Sequence, residues 1–264
     1  MDMQKEIADR LNRIEEERGV RIIYAAESGS RSWGLASPDS DYDVRFIYVR
    51  PLPQYLRINE GADFIEWQLD AVYDINGWDL KKALGQLYKG NASMFEWRHS
   101  PIIYRTTPEW DRVSGVFGAY FSEKALVRHY YGLAKNTFMN HLQGDSLSYK
   151  KYFYALRPLL SARHIEIRHE FPPLLFTELL ERDQDLPREL RGAISGLLDI
   201  KKQIAEKDLR PRIPVISAFI ETELEAQQEM LAALPDDRKR DYDALNRVFQ
   251  EIIFLPNNSA QPAR

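Results

Sequence analysis

The residues best equipped for chemistry lie between Gly29 and Val49, in the run GSRSWGLASPDSDYDVRFIYV. Gly29 and Ser30 close an apolar strand pattern, Arg21 to Ala26 (RIIYAA), and open a short helical piece. A turn of this kind presents backbone N–H groups as a small anion-binding concavity, and glycine lets phosphate oxygens come close. Ser30 adds a hydroxyl donor and Arg31 a positive charge. Asp41 and Asp43 stand where the next apolar run, Tyr42 to Val49, begins. Alternation along a strand puts both carboxylates on one face, with Tyr42 and Val44 on the other. Two carboxylates on one face repel each other unless a cation neutralises them, and hard oxygen ligands suit Mg²⁺, with Mn²⁺ as the alternative. A third carboxylate on a neighbouring strand would complete a pair of metal positions, and Asp70 and Asp74 are both candidates. Arg45 continues the Asp41–Asp43 face and is expected to pair with those carboxylates as a structural salt bridge. Phosphate donors beside hard carboxylates fit in-line nucleotidyl transfer from a nucleoside triphosphate. Taken singly, each motif is ordinary turn chemistry; the combination at this spacing carries the reading.

The elements that position these residues follow from periodicity. Ile7, Leu11 and Ile14 share one face of an amphipathic helix over residues 3–18, stopped by Gly19. The continuous apolar character of Tyr42 to Val49 predicts a central strand covered on both sides. Between Ile65 and Ile75 the pattern alternates throughout, predicting one half-buried strand with Trp67 and Tyr73 on the core side and Glu66, Gln68, Asp70 and Asp74 on the wet side. Asp79 is expected to cap the helix that follows, and another short helix is expected over Ala92 to Trp97. Beyond about Thr106 helical patterns dominate, over 123–143, 149–169, 187–206, 214–234 and 237–254, punctuated by prolines. The expected fold class is α+β: a mixed-sheet catalytic domain over 1–105, an all-helical bundle over 106–256, and a disordered tail over 257–264.

Composition narrows the class. The chain has 264 residues, 44% of them apolar, and no cysteine. Its opening residues, MDMQKEIADR, are charged, and no apolar run approaches the ~18 residues of a membrane span, so a cytoplasmic protein without membrane contact is expected. The net charge of −4 argues against a basic nucleic-acid coat, but the charge is uneven. Acidic residues outnumber basic ones from Glu27 to Asp79, and the reverse holds from Phe121 to Glu170. There is no GxGxxG, Walker lysine, nucleophile-elbow serine or zinc-hydrolase histidine pair.

The stretches ESGSRSWGLASPDSDYDVRFIYV, DINGWDLKKAL, EWRHSPIIY and KKYFYALRPLLSARHIE carry a resemblance. Together they resemble the DNA polymerase beta-type nucleotidyltransferase superfamily and, within it, the RNA ligase-associated Pol beta-type (YcgL-type) predicted nucleotidyltransferases. The resemblance implies a mixed-sheet catalytic domain with helices beside the site. It also implies Mg²⁺ dependence and transfer of a nucleotide from an NTP, with ATP the expected donor, to a hydroxyl. By position it assigns the metal carboxylates to Asp41, Asp43 and Asp74 and the phosphate turn to Gly29 and Ser30. It points to an RNA end as acceptor, with a protein or small-molecule hydroxyl as alternatives. A non-catalytic nucleotide-sensing or antitoxin-like module is the competing class.

The helical half offers one further candidate surface. Lys150, Tyr154, Arg157, Ser161, His164 and Arg168 share a face of helix 149–169, and Lys150, Lys151 and Arg157 are expected to contact NTP phosphates or an RNA backbone. Tyr152 and Tyr154 are weighed as base-stacking residues. Lys201, Lys202 and Arg210-Pro211-Arg212 are expected to form a solvated surface.

Overall fold

Five strands pair into one mixed sheet because each supplies an apolar face to one of two helical layers. They are β1 (Arg21–Glu27), β2 (Tyr42–Val49), β3 (Phe64–Leu69), β4 (Tyr73–Asp79) and β5 (Ile103–Thr106), in the order β3-β4-β2-β1-β5. The structure is a computed structural model and describes residues 2–37, 40–59, 61–201 and 209–254. β2 is central and runs parallel to β4, while β1 is antiparallel to both β2 and β5, and β3 is antiparallel to β4.

One sheet face carries Val44, Phe46, Tyr48 and Ile75 and is covered by α1 (Met3–Arg18), whose Ile7, Leu11 and Ile14 are fully buried there. Asp2 caps that helix and Gly19 ends it in a left-handed conformation. The other face carries Ile23, Ile47 and Val49 and packs on α4 (Leu80–Tyr88) and α5 (Ala92–Arg98), with Asp79 capping α4 as expected. Two single turns of helix, α2 (Gly29–Ser32) and α3 (Leu52–Tyr55), complete this half.

The remaining helices are α6 (Pro108–Ser114), α7 (Glu123–His141), α8 (Tyr149–Arg168), α9 (Phe176–Arg182), α10 (Arg188–Lys201), α11 (Pro214–Ala233) and α12 (Asp243–Ile253). The apolar cluster under α4 and α5 also takes in Trp110, Val113, Tyr130, Ile165, Leu245 and Ile252, so it crosses the 105/106 boundary expected from the sequence. A second cluster, around α8 and α11, reaches back to Trp33 and Leu35 beside α2.

Three expectations are corrected. The strand expected over 65–75 is a hairpin, β3 and β4, because the Asp70 carboxylate accepts the N–H groups of Val72 and Tyr73 and turns the chain without glycine or proline. Beyond Thr106, where only helices were expected, β6 (Ser146–Ser148) pairs with β7 (Leu209–Pro211), whose Pro211 is exposed and Arg210 half-exposed. Residues 237–242 precede α12 rather than belonging to it. Lys202, the end of the predicted 187–206 helix and the 257–264 tail lie outside the described residues.

Candidate active site

The site is built where the parallel strands β2 and β4 begin. Asp41 lies just before β2, and along the strand the odd positions change from Asp43 and Arg45 to the buried Ile47 and Val49, so the start of a core-facing strand surface stays polar. Asp74 lies directly beside Asp43 in the parallel register, and residues so paired share a face. Arg45 joins them: its Nη2 donates to Asp43 Oδ1 at 3.0 Å and to Asp74 Oδ2 at 2.6 Å, while Nη1 donates to the Asp74 carbonyl at 2.7 Å. The expected salt bridge is thus present to Asp43, but its second carboxylate is Asp74 where Asp41 was expected. Asn76 donates to the other Asp74 oxygen at 3.0 Å. About a fifth of each of the Asp43 and Asp74 side chains is exposed, so the pair is held by protein on one side and open to a ligand on the other. Burial first raises the Asp43 carboxyl above its ordinary 3.8; Arg45 opposes that shift, and the charges of Asp41 and Asp74 add to it. Asp41 and Asp74 are therefore both close enough to be felt at Asp43. Asp70, the other candidate, is occupied in the exposed hairpin turn.

The turn expected to bind phosphate touches this cluster directly. Gly29 has φ +61°, and a Cβ built there would lie 2.0 Å from Asp43 Oδ2, so both the backbone and the neighbouring carboxylate require glycine. The Ser28 N–H donates to the Asp43 carbonyl at 2.8 Å, which fixes the turn against β2. Ser30 sits beside a small cleft that Trp33, Lys150 and Tyr154 also line.

Glu27 is a residue the sequence reading missed. It is fully buried at the end of β1; Oε1 accepts the Asp43 N–H at 2.9 Å and Oε2 accepts the Tyr104 hydroxyl. Burial raises its carboxyl above the ordinary 4.5. Its one sequence signal is an acid that ends an otherwise apolar strand immediately before the Ser28-Gly29-Ser30 turn.

The expected binding cations divide. Lys150 lies near Ser30, and Lys151 sits over the Tyr154 ring at 5.3 Å on the same turn of α8. Arg31 does something other than expected: Nε and Nη2 donate to the carbonyls of Asp41 and Ser40 at 2.9 and 2.6 Å, and the guanidinium stacks on Tyr42, so it holds the chain that carries Asp41. Arg157 is buried, pairs with Glu96 at 2.9 Å and stacks at 4.2 Å on Trp33. Ser161 and His164 on the same face are buried too, among the other helices of this half, where His164 bonds Glu170 at 3.2 Å, so the face is covered instead of facing solvent. Tyr152 is likewise buried, sharing a hydrogen bond with Ser217, and offers no ring to a base.

Among the described residues no three His, Cys, Asp or Glu side chains converge into a preformed metal cage. The donor set still fits a hard divalent cation. Asp43 and Asp74 are adjacent carboxylates bridged by Arg45, and the Asp41 charge is close by. Arg45 supplies from the protein the positive charge such a cation would otherwise bring.

Two comparisons bear on this arrangement. The profile of a family described as the RNA repair pathway DNA polymerase beta family matches residues 3–251. The chain is also 41% identical over 254 residues to the uncharacterized protein YcgL of Bacillus subtilis (strain 168), covering 95% of this chain and 96% of that protein. Among the described residues no helix is long and apolar enough to cross a membrane.

Proposed function

The chain belongs to the RNA repair pathway DNA polymerase beta family, and from that premise we propose that it is a divalent-metal-dependent nucleotidyltransferase that moves a nucleoside monophosphate from an NTP, ATP foremost, onto the hydroxyl of an RNA end, breaking the α–β phosphoanhydride bond and releasing pyrophosphate. The observation that carries the reading is the contact of the Gly29 turn with Asp43, itself in parallel register with Asp74. A triphosphate cradled at Gly29 and Ser30 would then lie against the carboxylates that face the reacting phosphorus. Asp41, Asp43 and Asp74 would hold Mg²⁺ or Mn²⁺, which when bound supplies charge stabilisation to the attacking and leaving oxygens. Glu27 and Arg45 keep Asp43 oriented from opposite sides, through its backbone N–H and its carboxylate. Asp74 is the carboxylate proposed to accept the acceptor's proton.

Transfer of label from α-labelled NTPs to RNA or to protein, with Mg²⁺, tests this. Label is expected in RNA with the wild type and in neither acceptor with Asp41→Asn or Asp43→Asn; undiminished transfer by either variant sinks the assignment. A second reading, a nucleotide-sensing module, is favoured by Arg45, which satisfies Asp43 and Asp74 without any metal. It predicts NTP binding with no label transferred.

A further inference from the structure

Away from the carboxylates, a polar groove of about 510 Å³ opens between the α4–α5 turn, the first turns of α7 and the segment before α12. Four cations line it, Lys89, Lys124, Arg128 and Arg238, against the one carboxylate of Asp236, which Arg238 holds at 2.9 and 2.8 Å. Lys124 donates to the Leu234 carbonyl, whereas Lys89 and Arg128 are exposed. Burial lowers the pKa of His129 in the same wall, so the imidazole adds no charge near neutrality. Next to Lys89, Tyr88 stacks face to face on Tyr242 at 3.8 Å, and Tyr242 is 48% exposed. The Tyr88 hydroxyl is close enough to Arg238 to influence its charge. A relay of side chains links the groove to the Gly29 turn: His129 feels the charges of Glu96 and Arg157, Arg157 stacks on Trp33, and Trp33 lines the Ser30 cleft.

We propose that this groove holds the sugar-phosphate backbone of a single-stranded RNA, with a base stacked on the Tyr88–Tyr242 pair, while the RNA end reaches the carboxylate site. The inference rests on the RNA-end reading above. An excess of cations over acids in an open groove suits repeated phosphates, and an adjoining exposed aromatic stack suits a base without regard to sequence. A lone phosphate would need only the first feature. A second basic hollow of about 350 Å³, with Arg57 and Lys81 in its lining, lies where β2 and β4 end, at the opposite end of those strands from Asp43 and Asp74, and provides a control from which two cations are likewise removed.

The test is fluorescence anisotropy of a short single-stranded RNA with the full chain, in EDTA and without nucleotide, over a salt series. A Lys89→Ala/Arg128→Ala double variant changes exposed side chains and is checked for folding by circular dichroism. Its slope of log affinity against log salt should be shallower than wild type by about 1.4, roughly 0.7 for each phosphate that is no longer neutralised. The Arg57→Ala/Lys81→Ala variant should keep the wild-type slope. Tyr242→Ala should weaken binding at fixed salt by at least about fivefold. No RNA binding by wild type, an unchanged slope in the groove variant, or an equal loss in the control overturns the inference. If wild type binds RNA through the groove but transfers no nucleotide, the transferase reading fails alone; if it transfers label to RNA while the groove variant keeps its slope, the groove inference fails alone.

Discussion

Substituting alanine at Gly29 separates the site's geometry from the chain's stability, because Gly19 provides a matched control. Both glycines are left-handed, with φ +61° and +60°, so alanine at either costs about 1–2 kcal/mol of backbone strain. At Gly19 nothing lies within 4 Å of the added Cβ. At Gly29 the Cβ would meet Asp43 Oδ2 at 2.0 Å, about 1.4 Å short of ordinary contact. The carboxylate is the far end of a side chain and can rotate away, so little further stability is lost. What it gives up is its orientation toward Arg45 and the phosphate turn. A displacement on the order of 1 Å at a reacting centre costs about 10²-fold in rate. Thermal melts should therefore show similar shifts for both variants, about 2–8 °C for a chain of this size. Label transfer should fall about 10²-fold in Gly29→Ala and remain at wild-type level in Gly19→Ala. Equal transfer by the two variants would refute the claim that the Gly29 contact sets Asp43.

Asp74→Asn should lower label transfer by at least about 10²-fold while Asp70→Asn leaves it unchanged; equal losses would reopen the choice of third carboxylate. Arg157→Met should cost about 3–5 kcal/mol in urea unfolding, because it strands the Glu96 carboxylate in a buried setting; unaltered stability with weakened NTP binding would return Arg157 to phosphate contact. Glu27 carries a raised pKa, so above 4.5 the folded chain keeps a proton the unfolded chain has released, and stability falls as pH rises through that window. Glu27→Gln, followed by thermal melts from pH 4 to 8, should flatten that fall, and a profile parallel to wild type would count against it. In Arg45→Gln, Asp43 and Asp74 face each other unneutralised, so the rise in melting temperature on adding Mg²⁺ should exceed the wild-type rise; an equal or smaller one would show that the guanidinium does not stand in for a cation.

Features set by neighbours in the chain were legible in the sequence, and features set by distant pairing were not. The cap Asp79 and the periodicity of α1, α7, α8 and α11 are local, and the observed spans lie within a few residues of those expected. The placing of Asp41 and Asp43 on one face also follows from alternation alone. The β3–β4 hairpin was hidden because Asp70-Ala71-Val72 carries the alternating pattern straight through a turn made by a side chain. Arg157 read as a surface cation because its partner, Glu96, is 61 residues away, and a helical wheel does not show which of two polar faces another element will cover. β6 and β7, three residues each and on opposite sides of α8 through α10, leave no comparable pattern.

The two halves of the molecule meet through polar side chains at the point where the proposed site needs rigidity. Apolar clusters run beneath both, but Glu96 on α5, Tyr130 on α7 and Arg157 on α8 form one buried network, with Arg157 stacked on Trp33 at the end of α2. α2 is the single turn that begins at Gly29. Its first residue is fixed by Asp43 and its last turn by the helical half, so the donors proposed to hold phosphate are positioned from both sides. Desolvating an ion pair is expensive unless further hydrogen bonds satisfy it, and here Tyr130 donates to the same Glu96 oxygen at 3.1 Å. The directional pair with Glu96 sets where the Arg157 guanidinium lies, and Trp33 at the end of α2 packs against that guanidinium at 4.2 Å. The buried arginine in the middle of α8 is thus where the helical half reaches the turn proposed to hold phosphate, although none of the three proposed metal carboxylates lies in that half.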